Sequence, residues 1–365
     1  IRLSLVGSEM CIRDSNYTTC DAAKQAATVS ATNLAPLWPG CRGVPVNTVI
    51  TDNPMARDPR ALRDGNLART SLSMRGGGDR FAFYVAGDRT TEQGTFRNSD
   101  NANTAIRSNF NFTPNEKSDL ALNVNYQEGR TRLPIQDESA NGLLLSARRG
   151  LAGRTSLFTS TAADSALNAG WRTITPARAN NYQNFTDYQR YTMGVTGNYA
   201  PVSWFRNRLT VGFDRTITQA QLLFLPGDID VGQDPDAATG ANLRRTPTRD
   251  LLTLDYAGIV NKTVGRYALT TTFGSQIVSD QSSVLSATGI GIGAPDVTLV
   301  NLLQRSVGGE SFSENNSVGY FVQQQVGWND RLFLTGAVRA DDHSSFGTNF
   351  DLIVYPKFSV SYVLS

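Results

Sequence analysis

From Ser317 to Gly347 the chain switches between apolar and polar at every second residue. Val318, Tyr320, Val322, Val326 and Trp328 share one face; Gly319, Gln323, Gln325 and Gly327 share the other. After Trp328-Asn329-Asp330 the pattern returns, with Leu332, Leu334, Val338 and Ala340 alternating with Thr335, Arg339 and Asp341. Period-two alternation predicts two strands with one greasy and one wet face, joined by a tight turn. Each arm runs about 10 residues, the length of a tilted strand crossing a bilayer. Such hairpins, repeated, predict an all-β protein of the transmembrane β-barrel type.

The same rhythm recurs upstream. Strands are predicted over Ala68 to Arg75, Arg80 to Thr91, Ala105 to Thr113, Asp119 to Gln127, Asp187 to Tyr199, Arg208 to Thr218, Leu251 to Val260 and Tyr267 to Ile277. With the hairpin and a final strand over Tyr355 to Leu364 they make about 11. Gly76-Gly77-Gly78-Asp79, Pro114 to Lys117, Pro201 to Ser203, Lys262 to Arg266 and Asn329 are short turns. Long loops start near Thr91, Glu128, Gln219, Ser279 and Asp342; Gly142 to Arg149 within the second suits a short helix. Short and long connections therefore alternate, the signature of an up-and-down antiparallel barrel with one plain rim and one elaborate rim. A Greek-key sandwich would mix the lengths.

Three stretches resemble a family. They are Arg75-Gly76-Gly77-Gly78-Asp79 through Phe83-Tyr84-Val85-Ala86-Gly87 to Glu92-Gln93-Gly94, then Asn111-Phe112-Thr113-Pro114, then Gly319-Tyr320-Phe321-Val322-Gln323 through Gly327-Trp328-Asn329-Asp330-Arg331 to Phe346-Gly347. Tyr355-Pro356-Lys357-Phe358-Ser359 fits the following strand of the same pattern. The chain is similar here to TonB-dependent outer-membrane receptors of the SusC/RagA-like branch, over roughly Asp64 to Ser365. The resemblance implies a larger barrel around a plug domain that this chain lacks, so that a partial barrel is expected. It implies active uptake of a large nutrient, glycan or peptide, across the bacterial outer membrane. The implied partners are the TonB system acting through the plug, a SusD-like surface lipoprotein and outer-membrane lipid. A passive porin-like channel and a soluble or secreted β-rich glycan-binding protein are the competing readings.

The chain divides into 1–15, 16–67 and 68–365. Leu5 to Ser15 resembles the translation of a sequencing adapter, so Ile1 to Ser15 is set aside. Residues 16–67 hold Pro36, Pro39, Pro45, Pro54 and Pro59 and read as an irregular loop. In an oxidising envelope Cys20 and Cys41 suit a disulfide; two unpaired thiols is the alternative. Residues 68–365 are the partial barrel.

Charge and chemistry narrow the function further. The chain has 365 residues and a net charge of +2, with basic residues scattered and no basic stripe, which argues against nucleic acid. No apolar run reaches the length of a membrane-spanning helix, which leaves a barrel untouched. Gly76-Gly77-Gly78-Asp79 lacks the Lys-Ser/Thr of a phosphate loop, and Gly289-Ile290-Gly291-Ile292-Gly293 has the wrong spacing for a dinucleotide fold. His343, the single histidine, beside Asp341 and Asp342 reads as a loop rim rather than a metal site. Asp228, Asp230, Asp234 and Asp236 could hold calcium through their carboxylates, but Gly232 falls one place early for the usual loop and no Glu closes it, which favours a solvated acidic loop. With one histidine, a hydrolytic triad has no base. No catalytic, cofactor-binding or metal-ligating residue is assigned, and the protein reads as a non-enzyme without a cofactor. Arg107, Asp214, Arg339 and Asp341, together with Asp88, fall on the polar parity and are expected to face a lumen. Tyr199, Trp204, Phe205 and Trp328 lie beside short turns and suit an interfacial aromatic girdle.

Overall fold

The computed structural model describes residues 16–26, 38–135, 139, 141–154, 167–227, 239–294, 296–346 and 352–364. Strands β1 (Asn16–Cys20) and β2 (Thr48–Asp52) pair as a small antiparallel sheet. Eleven further strands form one large sheet: β3 (Asn66–Gly78), β4 (Phe81–Gln93), β5 (Asp100–Asn115), β6 (Ser118–Arg132), β7 (Gln183–Val202), β8 (Phe205–Phe224), β9 (Ala241–Val264), β10 (Tyr267–Ile290), β11 (Arg305–Trp328), β12 (Leu332–His343) and β13 (Ile353–Tyr362). Each pairs antiparallel with its neighbour in the chain, in the order β3 to β13 without a crossover. This is the up-and-down meander expected from the alternating connection lengths.

Register turns the sequence alternation into two continuous faces. One row across the ladder runs Phe83, Phe110, Leu122, Val195, Val211, Leu254, Ile277 and Val318. Three residues along each strand, a row on the opposite face runs Arg107, Asn125, Thr192, Asp214, Leu251 and Asp280. A slip of one residue on any strand would put its apolar set on the wet face. The apolar face is uncovered: Leu72 is 80% exposed and Phe358 84%. In water that would be an aggregation surface; in lipid it is the outer belt of a barrel.

The strands outrun the sequence expectation on the long-loop side. β10 continues to Ile290 and β11 begins at Arg305, although residues 279–311 read as loop. Likewise β9 begins at Ala241, inside the expected loop from Gln219 to Arg249. Beyond the apolar belt both faces meet water, so the alternation that marks a strand disappears while the hydrogen-bond ladder persists. Pro247 sits in this extension. The β8–β9 pairing skips from Ile217–Thr248 to Ala220–Arg245, where Pro247 supplies no N–H. At the other rim, Gly76, Gly77 and Gly78 belong to β3, and Asp79–Arg80 make the turn instead. A Cβ on Gly76 would lie 2.8 Å from the Phe83 ring opposite, so glycine there leaves room for the aromatic to cover it. Asn329 and Asp330 both take left-handed backbone, the conformation of a tight hairpin turn.

Most of the buried core among the described residues lies beyond the sheet. Residues 16–67, expected to be irregular, carry β1, β2 and two short helices, α1 (Ala22–Ala26) and α2 (Pro54–Arg57). Asn53 caps α2 by accepting from the Ala56 N–H, and Pro54 fills its first turn. These elements are too short for a period to show in the sequence. They pack on the connection between β6 and β7, which contributes α3 (Leu143–Arg148) and α4 (Pro176–Ala179). Ala61, Leu143, Trp171, Ile174 and Tyr182 form the shared core, joined by Phe224 and Ala241 from the ends of β8 and β9. The Asn16 side chain donates to the Ala147 and Gly170 carbonyls, and the Asn180 side chain donates to the Arg60 carbonyl. The result is a packed cap on the long-loop rim.

Candidate functional site on the polar wall

Because β12 alternates, Arg339 and Asp341 project from one face, two residues apart. Their ion pair closes at 2.8 Å. Arg339 also donates to Gln276 on β10 at 3.1 Å, and Gln276 donates to Asp255 on β9 at 2.7 Å. A polar chain thus crosses four strands. Asp214 on β8 accepts from Arg190 at 2.9 Å and from the Thr192 hydroxyl at 2.6 Å, both on β7. Arg249 and Asp280 pair at 2.6 Å across β9 and β10. These contacts are part-exposed, where an ion pair is worth about 0–1 kcal/mol. They set the polarity and shape of the wall more than its stability.

Arg107 shares a row with Asp214, but two strands separate them. Arg107 instead lines a hollow of about 410 Å³ with Arg69, Asp88, Asn103, Asn125 and Gln127. Of the four residues expected to face a lumen, the structure therefore joins Arg339 to Asp341 and leaves Arg107 and Asp214 in separate groups. Gln276, Asp255, Arg190, Arg249 and Asp280 were not singled out from sequence. Their parity marks their face, but their partners depend on inter-strand register, which no local pattern states.

The aromatic residues expected at the membrane boundary sit at the short-turn rim. Tyr199 nears the end of β7, Trp204 is in the following turn, and Phe205 opens β8. The Trp204 and Phe205 rings are 5.9 Å apart, and Phe205 stacks on Phe273 at 6.5 Å. Trp328 pairs with Tyr267 and Leu332. At the opposite edge of the apolar belt the Tyr126 and Tyr191 rings lie 5.0 Å apart. The ion pairs Arg130–Asp187 and Arg215–Asp250 follow on the same face.

Cys20 and Cys41 are joined in a disulfide inside the cap. The Arg57 guanidinium pairs with Asp52 at 2.8 Å and also bonds the Ala169 carbonyl, tying α2 to the β6–β7 connection. Burial, reinforced by the charge of Arg172, pulls the Arg154 pKa below its ordinary value. His343 ends β12, and its Nδ1 accepts from the Ser345 N–H at 3.1 Å. Among the described residues no group of three or more His, Cys, Asp or Glu could hold a metal ion. Asp228, Asp230, Asp234 and Asp236 lie outside the described residues. The wall offers charged and amide groups for binding.

No protein-family model and no curated protein matches the chain. Solved structures do. The RagAB peptide transporter superposes over 80% of this chain and 33% of its own, with a TM-score of 0.65 and 14% identity. The unliganded ferric citrate transporter FecA superposes over 84% of this chain and 41% of its own, at 0.51 and 12%. The outer membrane transporter YddB from Escherichia coli covers 82% of this chain and 36% of its own, at 0.50 and 10%. At such identities the likeness is one of fold. The chain spans about a third of the RagAB chain's length and has the fold of a partial transmembrane β-barrel.

Proposed function

We propose that this chain is part of the barrel of a TonB-dependent, SusC/RagA-like receptor that imports a large nutrient across the bacterial outer membrane. The observation that carries this reading is the unbroken division of eleven antiparallel strands into one apolar and one polar face. Its fold likeness to a peptide transporter supports it. In this reading the apolar face meets lipid, and Tyr199, Trp204, Phe205 and Trp328 anchor the short-turn rim at the bilayer interface. Arg107, Asp214, Arg339 and Asp341 face the lumen. Energy comes from TonB through a plug domain carried elsewhere in the intact receptor, and a SusD-like lipoprotein covers the long-loop rim. The substrate class is a peptide or a glycan, and the wall binds without breaking bonds.

The test uses cells expressing the intact receptor, given a fluorescent peptide and a labelled oligosaccharide. Uptake of one of them that collapses on adding a protonophore is the expected result. Uptake indifferent to the protonophore would point to a passive channel. A receptor that leaves the membrane pellet in a urea wash would remove the membrane reading altogether.

A further inference from the structure

The polar wall is uneven. From β7 to β12 its carboxylates are already taken: Asp214 by Arg190, Asp280 by Arg249 and Asp341 by Arg339. From β3 to β6 the pattern breaks. Asp88 pairs in register with Ser71 and Ala105, while Arg69 pairs with Thr90 and Arg107 with Ala86. Both guanidiniums are therefore diagonal neighbours of Asp88, within reach of a long side chain. Neither forms an ion pair with it among the described residues. Arg69 and Arg107 are exposed, and all three line the same hollow of about 410 Å³. Asn125 and Gln127 supply amide donors and acceptors beside them, and Asn103, whose Oδ1 already accepts from the Tyr188 hydroxyl at 2.7 Å, adds its amide N–H groups.

We infer that this hollow is a subsite for acidic peptide segments, with Arg69 and Arg107 taking side-chain carboxylates and the amides taking peptide groups. This rests on the uptake reading and names the substrate class for it. Three features favour that ligand. Two guanidiniums against one carboxylate leave a net positive site, and arginine matches a carboxylate with two parallel hydrogen bonds. Side-chain amides pair with peptide N–H and C=O groups in both senses. Tyr84 is the one aromatic ring in the lining, whereas a sugar binds best between stacked rings. Position agrees as well. Arg69 and Asn103 lie in the long-loop halves of β3 and β5, toward the capped rim.

The experiment uses the intact receptor in nanodiscs and fluorescein-labelled decapeptides rich in Glu, in Lys or in Ser and Gly. Fluorescence anisotropy should show the Glu-rich peptide binding about tenfold or more tightly than the Lys-rich one, with the preference shrinking as salt rises. Arg69→Gln with Arg107→Gln should remove that preference, and Asp88→Asn should raise Glu-peptide affinity about threefold. Equal affinity for all three peptides, or a preference untouched by the double variant, overturns the inference. So does tight binding of polygalacturonate without binding of the Glu-rich peptide. Protonophore-sensitive uptake of the Ser/Gly peptide with no acidic preference would sink the subsite and leave the uptake reading standing. No energised uptake of any peptide or oligosaccharide would sink the uptake reading instead.

Discussion

Trp171 in the cap and Phe110 in the sheet are both large aromatic residues, in opposite settings. Trp171 is wholly buried, packed with Leu143, Ile174 and Tyr182. Phe110 is 42% exposed on a face that no other described part of the chain covers. The cap hides its apolar groups from water as a soluble domain does. The sheet spreads them over one side and keeps its charges on the other. A chain that buries apolar surface efficiently in one region and leaves it bare in another has a second solvent for the bare region. The contrast also separates what holds each part together. Cap stability comes from packing and a disulfide, whereas the wall relies on its backbone ladder and on lipid.

Perturbations should therefore have different sizes and different reach in the two regions. Trp171→Ala should be the most damaging, costing about 3–5 kcal/mol by opening a cavity. Hydrogen exchange should show it as lost protection in residues 141–154 and 167–182 with β10 and β11 unchanged; spread into those strands would mean that cap and wall are one cooperative unit. Next, Cys20→Ser with Cys41→Ser should loosen the cap by about 3 kcal/mol, read as faster proteolysis within 16–26 and 38–67. Leu122→Arg, at the middle of the apolar face, should cost about 2–4 kcal/mol in a membrane and almost nothing in water. Refolding titrations into lipid vesicles measure this, and a neutral outcome there would erase the distinction between the regions. Arg339→Ala should be the mildest, at about 0–1 kcal/mol, because its pair with Asp341 is part-exposed; a loss of several kcal/mol would show the polar wall to be dry.

Legibility in the sequence follows the same division. All eleven strands of the wall announce themselves between Ala68 and Leu364, because lipid on one side and water on the other force period-two patterning. That signal stops where lipid stops, so the long outer portions of β9, β10 and β11 read as loops. The cap is nearly silent. Its core joins Ala61 to Trp171 and Tyr182, and Asn16 reaches Ala147 and Gly170 across more than a hundred residues. Long-range packing of short elements leaves no periodic trace. At the candidate site, parity placed Arg107, Asp214, Arg339 and Asp341 on one face. It could not say that Arg339 would bond Gln276 or that Asp214 would take Arg190, since those pairings require the register of separate strands.

The most direct test is a nitroxide scan of the intact receptor in lipid, one residue at a time through Leu120 to Tyr126 and Leu332 to Val338. Oxygen accessibility should peak at Leu120, Leu122, Val124, Leu332, Leu334 and Val338. Accessibility to a water-soluble nickel reagent should peak at Asn123, Asn125, Thr335 and Ala337. A flat profile, or both reagents peaking at the same positions, would contradict the account.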